Sequence, residues 1–153
     1  MPSDVHATTF RLIYRSRDLI PEEGRKKELG DLFGVARSQN KERHVCGALL
    51  LTEETFVQVL EGEEEVVRDL FAHIERDPRH DSVTVLESGV VAAPAFSRWA
   101  MAKVAEGGEP DIPLIAHVDG ISPAAGRGTT PEQDEILAFM RDAARGASQD
   151  SSA

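Results

Sequence analysis

Cysteine is nearly absent from this 153-residue chain, which has one, Cys46. A lone thiol permits no intramolecular disulfide and excludes a cysteine-rich metal site. Aromatic residues are scarce too, at 5%, with one tyrosine, Tyr14, and one tryptophan, Trp99. Positive charge is outnumbered, 17 Lys and Arg against 27 Asp and Glu, for a net charge of −10. Such a balance disfavours contact with phosphate backbones, so no nucleic-acid partner is expected. Residues 106–153 alone carry nine acidic and three basic side chains. No apolar run approaches the ~20 residues that span a bilayer. Residues 1–9 lack the character of a signal peptide. The composition leads to the expectation of a cytoplasmic protein, one compact domain with a tail, away from membranes.

The familiar enzyme signatures are missing as well. There is no G-x-S-x-G, no H-E-x-x-H, no P-loop and no dinucleotide-binding glycine fingerprint. The histidines, His6, His44, His73, His80 and His117, do not fall at metal-ligand spacing with Cys, Asp or Glu on one face, so no metal site is expected. Glu61, Glu63, Glu64 and Glu65 read as a solvated helix start, not an acid–base pair. Cys46, flanked by Val45 and Gly47 in an apolar run, reads as an inert buried thiol.

What is present is regular patterning. Residues 8–16 (TTFRLIYRS) alternate as a strand, with Phe10, Leu12, Tyr14 and Ser16 on one face. From Pro21 to about residue 38 the spacing of Leu29, Leu32, Phe33 and Ala36 predicts a helix. Gly24, Gly30 and Gly34 interrupt it, either weakening the helix or leaving room for something flat against its backbone. Residues 45–51 (VCGALLL) and 55–60 read as a hairpin turning at 52–54. Residues 63–76 form the strongest helix, with an apolar stripe of Val66, Val67, Leu70, Phe71 and Ile74, and Asp77-Pro78 stops it. Strands follow at 82–87 and 99–104, the latter placing Trp99, Met101 and Lys103 on a shared face.

This order, βαββαββ, predicts an α+β ferredoxin-like sheet with two helices on one face, plus a C-terminal helical extension. A Gly/Pro-rich linker is expected over 106–129, after a domain at 1–105. Thr130, Pro131 and Gln133 then read as cap, first helical position and capping-box partner of an amphipathic helix over 130–147. Ile136, Leu137, Met140 and Ala144 lie on one side of it, for the open face of the sheet or for a partner. A disordered tail is expected over 148–153.

Within this frame one residue stands out. Gln58 lies in the β-prone run FVQVLEG, residues 56–62. An amide among such neighbours costs about 1–3 kcal/mol unless hydrogen-bonded, so it requires either an internal partner or a ligand. Tyr14, Ser16, Phe56, Gln58, Trp99 and Met101 are all predicted on the helix-covered face. They suit a flat, polar-edged ring, and they equally suit a core with one Tyr14–Gln58 bond.

The segments RLIYRS (11–16), ARSQN (36–40) with VCGALL (45–50), FVQVLEG (56–62), DPRH (77–80), and Phe96 with WAM (99–101) resemble the BLUF domain in order and near-correct spacing over about residues 9–105. The resemblance implies a blue-light sensor that binds a flavin non-covalently between the two helices. FAD is the expected cofactor, with FMN or riboflavin as alternatives. Tyr14 and Gln58 take the places of the family's photochemical tyrosine and glutamine, and Asn40 that of the asparagine at the ring edge. His73, Leu32, Ile74 and Phe56 fall at positions beside the flavin, and Ser16, Trp99 and Met101 at semi-variable positions beside the glutamine. Gln39, His44, Cys46 and Ala100 depart from residues common in the family.

In that family blue light draws an electron and a proton from the tyrosine, and the glutamine is left rotated or tautomerised. Nothing is turned over, so the implied role is a photoreceptor, not an enzyme. It would signal through the last strand and the C-terminal helix to a separate, unidentified partner, or through a homo-oligomer. The competing expectation is a cofactor-free ferredoxin-like regulatory or oligomerisation module.

Overall fold

The computed structural model describes residues 9–52, 54–97, 99–105, 112–117, 120–123 and 131–152, with side chains described up to 104 and over 131–144. The elements run β1 (Thr9–Asp18), α1 (Arg25–Arg43), β2 (Cys46–Leu51), β3 (Thr55–Gly62), α2 (Glu64–Glu75), β4 (His80–Val91), β5 (Ala102–Ala105), β6 (Ile112–His117), β7 (Gly120–Pro123) and α3 (Pro131–Ser152). One sheet is ordered β4-β1-β3-β2-β5-β6-β7. β1 pairs antiparallel with both β3 and β4, while β5 pairs parallel with β2. The first five strands and two helices are the expected ferredoxin-like arrangement.

Alternation along β1 builds two cores. Phe10, Leu12 and Tyr14 join a cluster with Phe33 of α1, Val67 and Leu70 of α2, and Phe56 and Leu60 of β3. Ile13 faces the other way, into a cluster with Val57, Val59, Ala48 and the α3 residues Ile136, Leu137, Met140 and Ala144. Thus α1 and α2 cover one face and α3 covers the other. Burying each such side chain contributes about 1.5–3 kcal/mol, so α3 is a structural part of the sheet's core.

Several boundaries differ from the sequence reading. α1 starts at Arg25, because Gly24 is left-handed at φ 78° and cannot continue a helix. It runs on to Arg43, where His44 at φ 58° turns the chain and donates to the Lys41 carbonyl at 3.3 Å. Gly30 and Gly34 are exposed, with nothing within 4 Å of an added Cβ, so each weakens the helix and no described residue packs against it there. β4 is twelve residues long and carries two register shifts against β1, between Ile13 and Tyr14 and between Arg15 and Arg17.

The strand expected over 99–104 begins, as β5, at Ala102, so Trp99 and Met101 precede it and do not share a face. Met101 enters the helix-side core and Trp99 packs against the α3-side core. The stretch 106–129, read as linker, contains the antiparallel pair β6 and β7. α3 continues to Ser152, through most of the segment read as a disordered tail. Thr130, its expected cap, lies outside the described residues. Gln133 Nε2 donates to the Ala95 carbonyl at 2.7 Å, which ties the first turn of α3 to that loop.

Glu61 is another correction. It is wholly buried, with Oε2 accepting from Arg11 Nε and the Ala95 N–H, each at 2.9 Å, and Oε1 accepting from the Phe96 N–H at 2.9 Å. A buried carboxylate persists only when its oxygens are satisfied in this way. It therefore ties β1 and β3 to the segment leading to Trp99 and Met101.

Candidate functional site

A cavity of about 210 Å³ opens between α1 and α2 over the sheet. Its walls are Leu32, Val35 and Ala36 on α1 and Leu70, His73 and Ile74 on α2. Tyr14, Leu49, Phe56, Gln58 and Leu60 form its floor, and Gln39, Asn40, Asp77, Arg79 and His80 complete the lining. Apolar walls with amide and imidazole groups around them match a flat ring that carries polar atoms on its edge.

Tyr14 and Gln58 are cross-strand partners in β1 and β3, which puts their side chains next to each other on the helix-covered face. The Tyr14 hydroxyl donates to Gln58 Oε1. Gln58 Nε2 donates in turn to Met101 Sδ at 3.4 Å. This fixes the amide: oxygen toward the phenol, nitrogen toward the thioether. Burial, reinforced by the negative charge of Asp77, pushes the Tyr14 phenol well above its ordinary value of 10.0. The phenol is therefore neutral at physiological pH and its proton lies on the bond to the amide.

α1 holds Met101 in place. Asn40, buried near the helix end, donates through Nδ2 to the Ala100 carbonyl at 2.8 Å, and Arg37 Nε donates to the Met101 carbonyl at 3.1 Å. Gly47 lets the chains approach so closely: an added Cβ would lie 1.9 Å from the Val59 carbonyl oxygen, while its N–H donates to the Trp99 carbonyl at 3.1 Å.

Of the residues picked from sequence, Tyr14, Leu32, Asn40, Phe56, Gln58, His73 and Ile74 all line the cavity. Met101 joins them through its bond to Gln58. Ser16 does not line it; its hydroxyl bonds His80 Nδ1 at 2.7 Å. Trp99 lies on the far side of the sheet, half-buried, and is not among the residues that line the cavity. Asp77, Arg79, His80 and Leu49 line the cavity and carried no assigned role from sequence, although DPRH was among the segments bearing the resemblance. Among the described residues no group of three or more His, Cys, Asp or Glu is placed to hold a metal ion. No helix among them is long and apolar enough to cross a membrane.

The chain was compared with known proteins. The family model described as sensors of blue light using FAD, BLUF, matches residues 9–102. Photoactivated adenylate cyclase subunit alpha of Euglena gracilis is 38% identical over 91 residues, 60% of this chain and 9% of that protein. The blue light- and temperature-regulated antirepressor BluF of Escherichia coli (strain K12) is 30% identical over 134 residues, 85% of this chain and 31% of that one. The chain thus spans a small part of the length of these curated relatives. Among solved structures, BlsA in its photo-activated state superposes with a TM-score of 0.62 at 34% identity, covering 65% of this chain and 71% of that one. Dark-state BlrB, a BLUF protein, gives a TM-score of 0.62 at 27% identity, covering 66% and 75%.

Proposed function

This chain belongs to the BLUF family of blue-light sensors using FAD, and on that premise we propose that Tyr14 and Gln58 are its photochemical switch. The observation that carries the reading is the hydrogen-bond chain from the Tyr14 hydroxyl through Gln58 to Met101, whose first two members lie in the floor of the cavity. Leu32, Ala36, Leu70 and Ile74 would sandwich the flavin ring, with Asn40, Gln58 and His73 at its polar edge. Of the flavins, FAD is the form we assign, in line with the family description. When bound, the flavin supplies blue absorption and, once excited, a strong one-electron oxidant.

Tyr14 would give an electron to the excited flavin and its proton toward Gln58, and both would return to it on recombination, so no net oxidation remains. Its O–H lies along the bond to Gln58 Oε1, so the proton leaves over a path already formed. Gln58 can then rotate, exchanging oxygen for nitrogen at both ends. A bond to Met101 Sδ that accepts from nitrogen cannot accept from oxygen, so Met101 is released. The segment that carries Met101 is held at its other end by Glu61, through the Ala95 and Phe96 N–H groups, and the Ala95 carbonyl is held by Gln133 of α3. Gln58 and Glu61 lie three residues apart on β3. One amide thus has a short physical route to α3, and from there to a separate partner protein.

The module itself turns nothing over. Its output class is a further proposal: relatives are by name cyclases and an antirepressor. The test is the absorption spectrum of the flavin-loaded full chain, in darkness and after blue light. A small red shift that reverses in the dark is expected, and Tyr14→Phe removes it. An undiminished shift in Tyr14→Phe would dismiss Tyr14 as the donor.

A further inference from the structure

His80 is nine-tenths buried beneath the cavity and bonded at both ring nitrogens. Nδ1 lies 2.7 Å from Ser16 Oγ, and Nε2 lies 2.6 Å from the Ile74 carbonyl oxygen. A carbonyl only accepts, so Nε2 carries a proton in either charge state of the ring. The imidazole stands edge-on to Tyr14, centroids 6.1 Å apart, and lies 6.2 Å from the Phe56 ring. It therefore joins three things: β1 two residues beyond Tyr14, the last turn of α2 at Ile74, and the face of the floor that holds the phenol.

A bulge creates this placement. Arg15 pairs with Thr84, and an unbroken register would bring Asp81 opposite Asp18. One extra residue in β4, where Ser82 sits at φ 55°, brings His80 opposite Asp18 instead and onto the helix-covered face. Bulges of this kind re-aim side chains next to functional sites.

We propose that His80 and Ser16 form a positioning pair that holds the Tyr14 ring and the Ile74 end of α2 in register with Gln58, a role that rests on Tyr14 being the donor. Neither residue touches the reacting proton. Their effect is to keep the phenol pointed at Oε1 and the cavity wall at its working distance. Loss of the pair leaves Tyr14 in place and broadens its orientations.

The test compares Ser16→Ala, Ser16→Thr and His80→Gln in the flavin-loaded full chain. The readouts are flavin stoichiometry and the quantum yield of the red-shifted state. With loading unchanged, Ser16→Ala should lower the yield about fivefold, the factor corresponding to one net hydrogen bond of roughly 1 kcal/mol. Ser16→Thr, which keeps the hydroxyl, should restore it, and His80→Gln should lower it at least as far. A readout free of photochemistry is the imidazole nitrogen NMR spectrum of the flavin-free protein, where a slowly exchanging proton on His80 Nε2 is expected. An unchanged yield in Ser16→Ala, loss of flavin from a folded variant, or a rapidly exchanging Nε2 proton would each overturn the proposal. A persistent light response in Tyr14→Phe would instead overturn the donor reading, and the positioning role with it.

Discussion

At the scale of the residue, burial decides which groups can react. Cys46 donates to Glu61 Oε1 at 3.7 Å, and burial, then the charge of Glu61, pushes its thiol up to about 12. Its ordinary value is 9.0, so the unfolded chain loses this proton first. The resulting contribution to stability is complete below pH 9 and fades as pH rises from 9 toward 12. Tyr14, shifted in the same direction, adds a second alkaline loss that begins near its ordinary value of 10.0. Urea midpoints against pH should therefore fall on the alkaline side, and less steeply in Cys46→Ser. Equal slopes in the two proteins would contradict the burial of this thiol. Alkylation of the folded protein at pH 8 should be slow for the same reason.

Alternation put Tyr14 and Gln58 on one predicted face and allowed a bond between them, and the regular β1–β3 register makes them cross-strand partners. His80 was not legible, since the bulge at Ser82 inverts the side toward which a regular strand would point it. Glu61 was misread because three glutamates follow it closely, and nothing local reveals that Arg11, fifty residues earlier, waits across the sheet.

At the scale of the element, glycines with the same composition signal have opposite effects. Gly30 and Gly34 face open space on α1, so Gly30→Ala and Gly34→Ala should each stabilise the protein by up to about 1 kcal/mol. A Cβ at position 47 would lie 1.9 Å from the Val59 carbonyl oxygen, and Gly47→Ala should cost about 1–3 kcal/mol by forcing β2 from β3. Chemical denaturation of the three variants separates these outcomes, and a neutral Gly47→Ala would show that the strands can move apart. The first two helices were legible through their apolar spacing, while the ends of α1 depended on left-handed residues, Gly24 and His44, that spacing does not register. Trp99 and Met101 were expected on one face because period-two alternation was extended past the start of β5. β6 and β7 escaped notice because they are short and lie in a stretch whose Gly and Pro content reads as a loop.

At the scale of the whole molecule, α3 covers one face of the sheet, and in the proposed route it also carries the output. Leu137 is fully buried against the sheet, and Leu137→Ala should cost about 2–5 kcal/mol. Gln133→Ala should cost less, about 1–3 kcal/mol, through the unsatisfied Ala95 carbonyl. Its sharper effect is expected on coupling. Trp99 packs in the α3-side core, so its fluorescence reports on that core, and the light-induced change in that signal should shrink in Gln133→Ala while the flavin red shift persists. Loss of both signals together would remove Gln133 from the output route. The covering role of α3 was among the readings its apolar stripe allowed, whereas its attachment through Gln133 depends on a loop distant in sequence.

The central claim is that light changes the Gln58 amide. The most direct measurement is the infrared difference spectrum, light minus dark, of flavin-loaded protein carrying isotope-labelled glutamine. Gln58→Leu serves to assign the bands of Gln39, Gln133 and Gln149. The account predicts a labelled amide carbonyl band that shifts on illumination, returns in darkness and is absent in Gln58→Leu. A flavin red shift with no labelled band in the difference spectrum would contradict it.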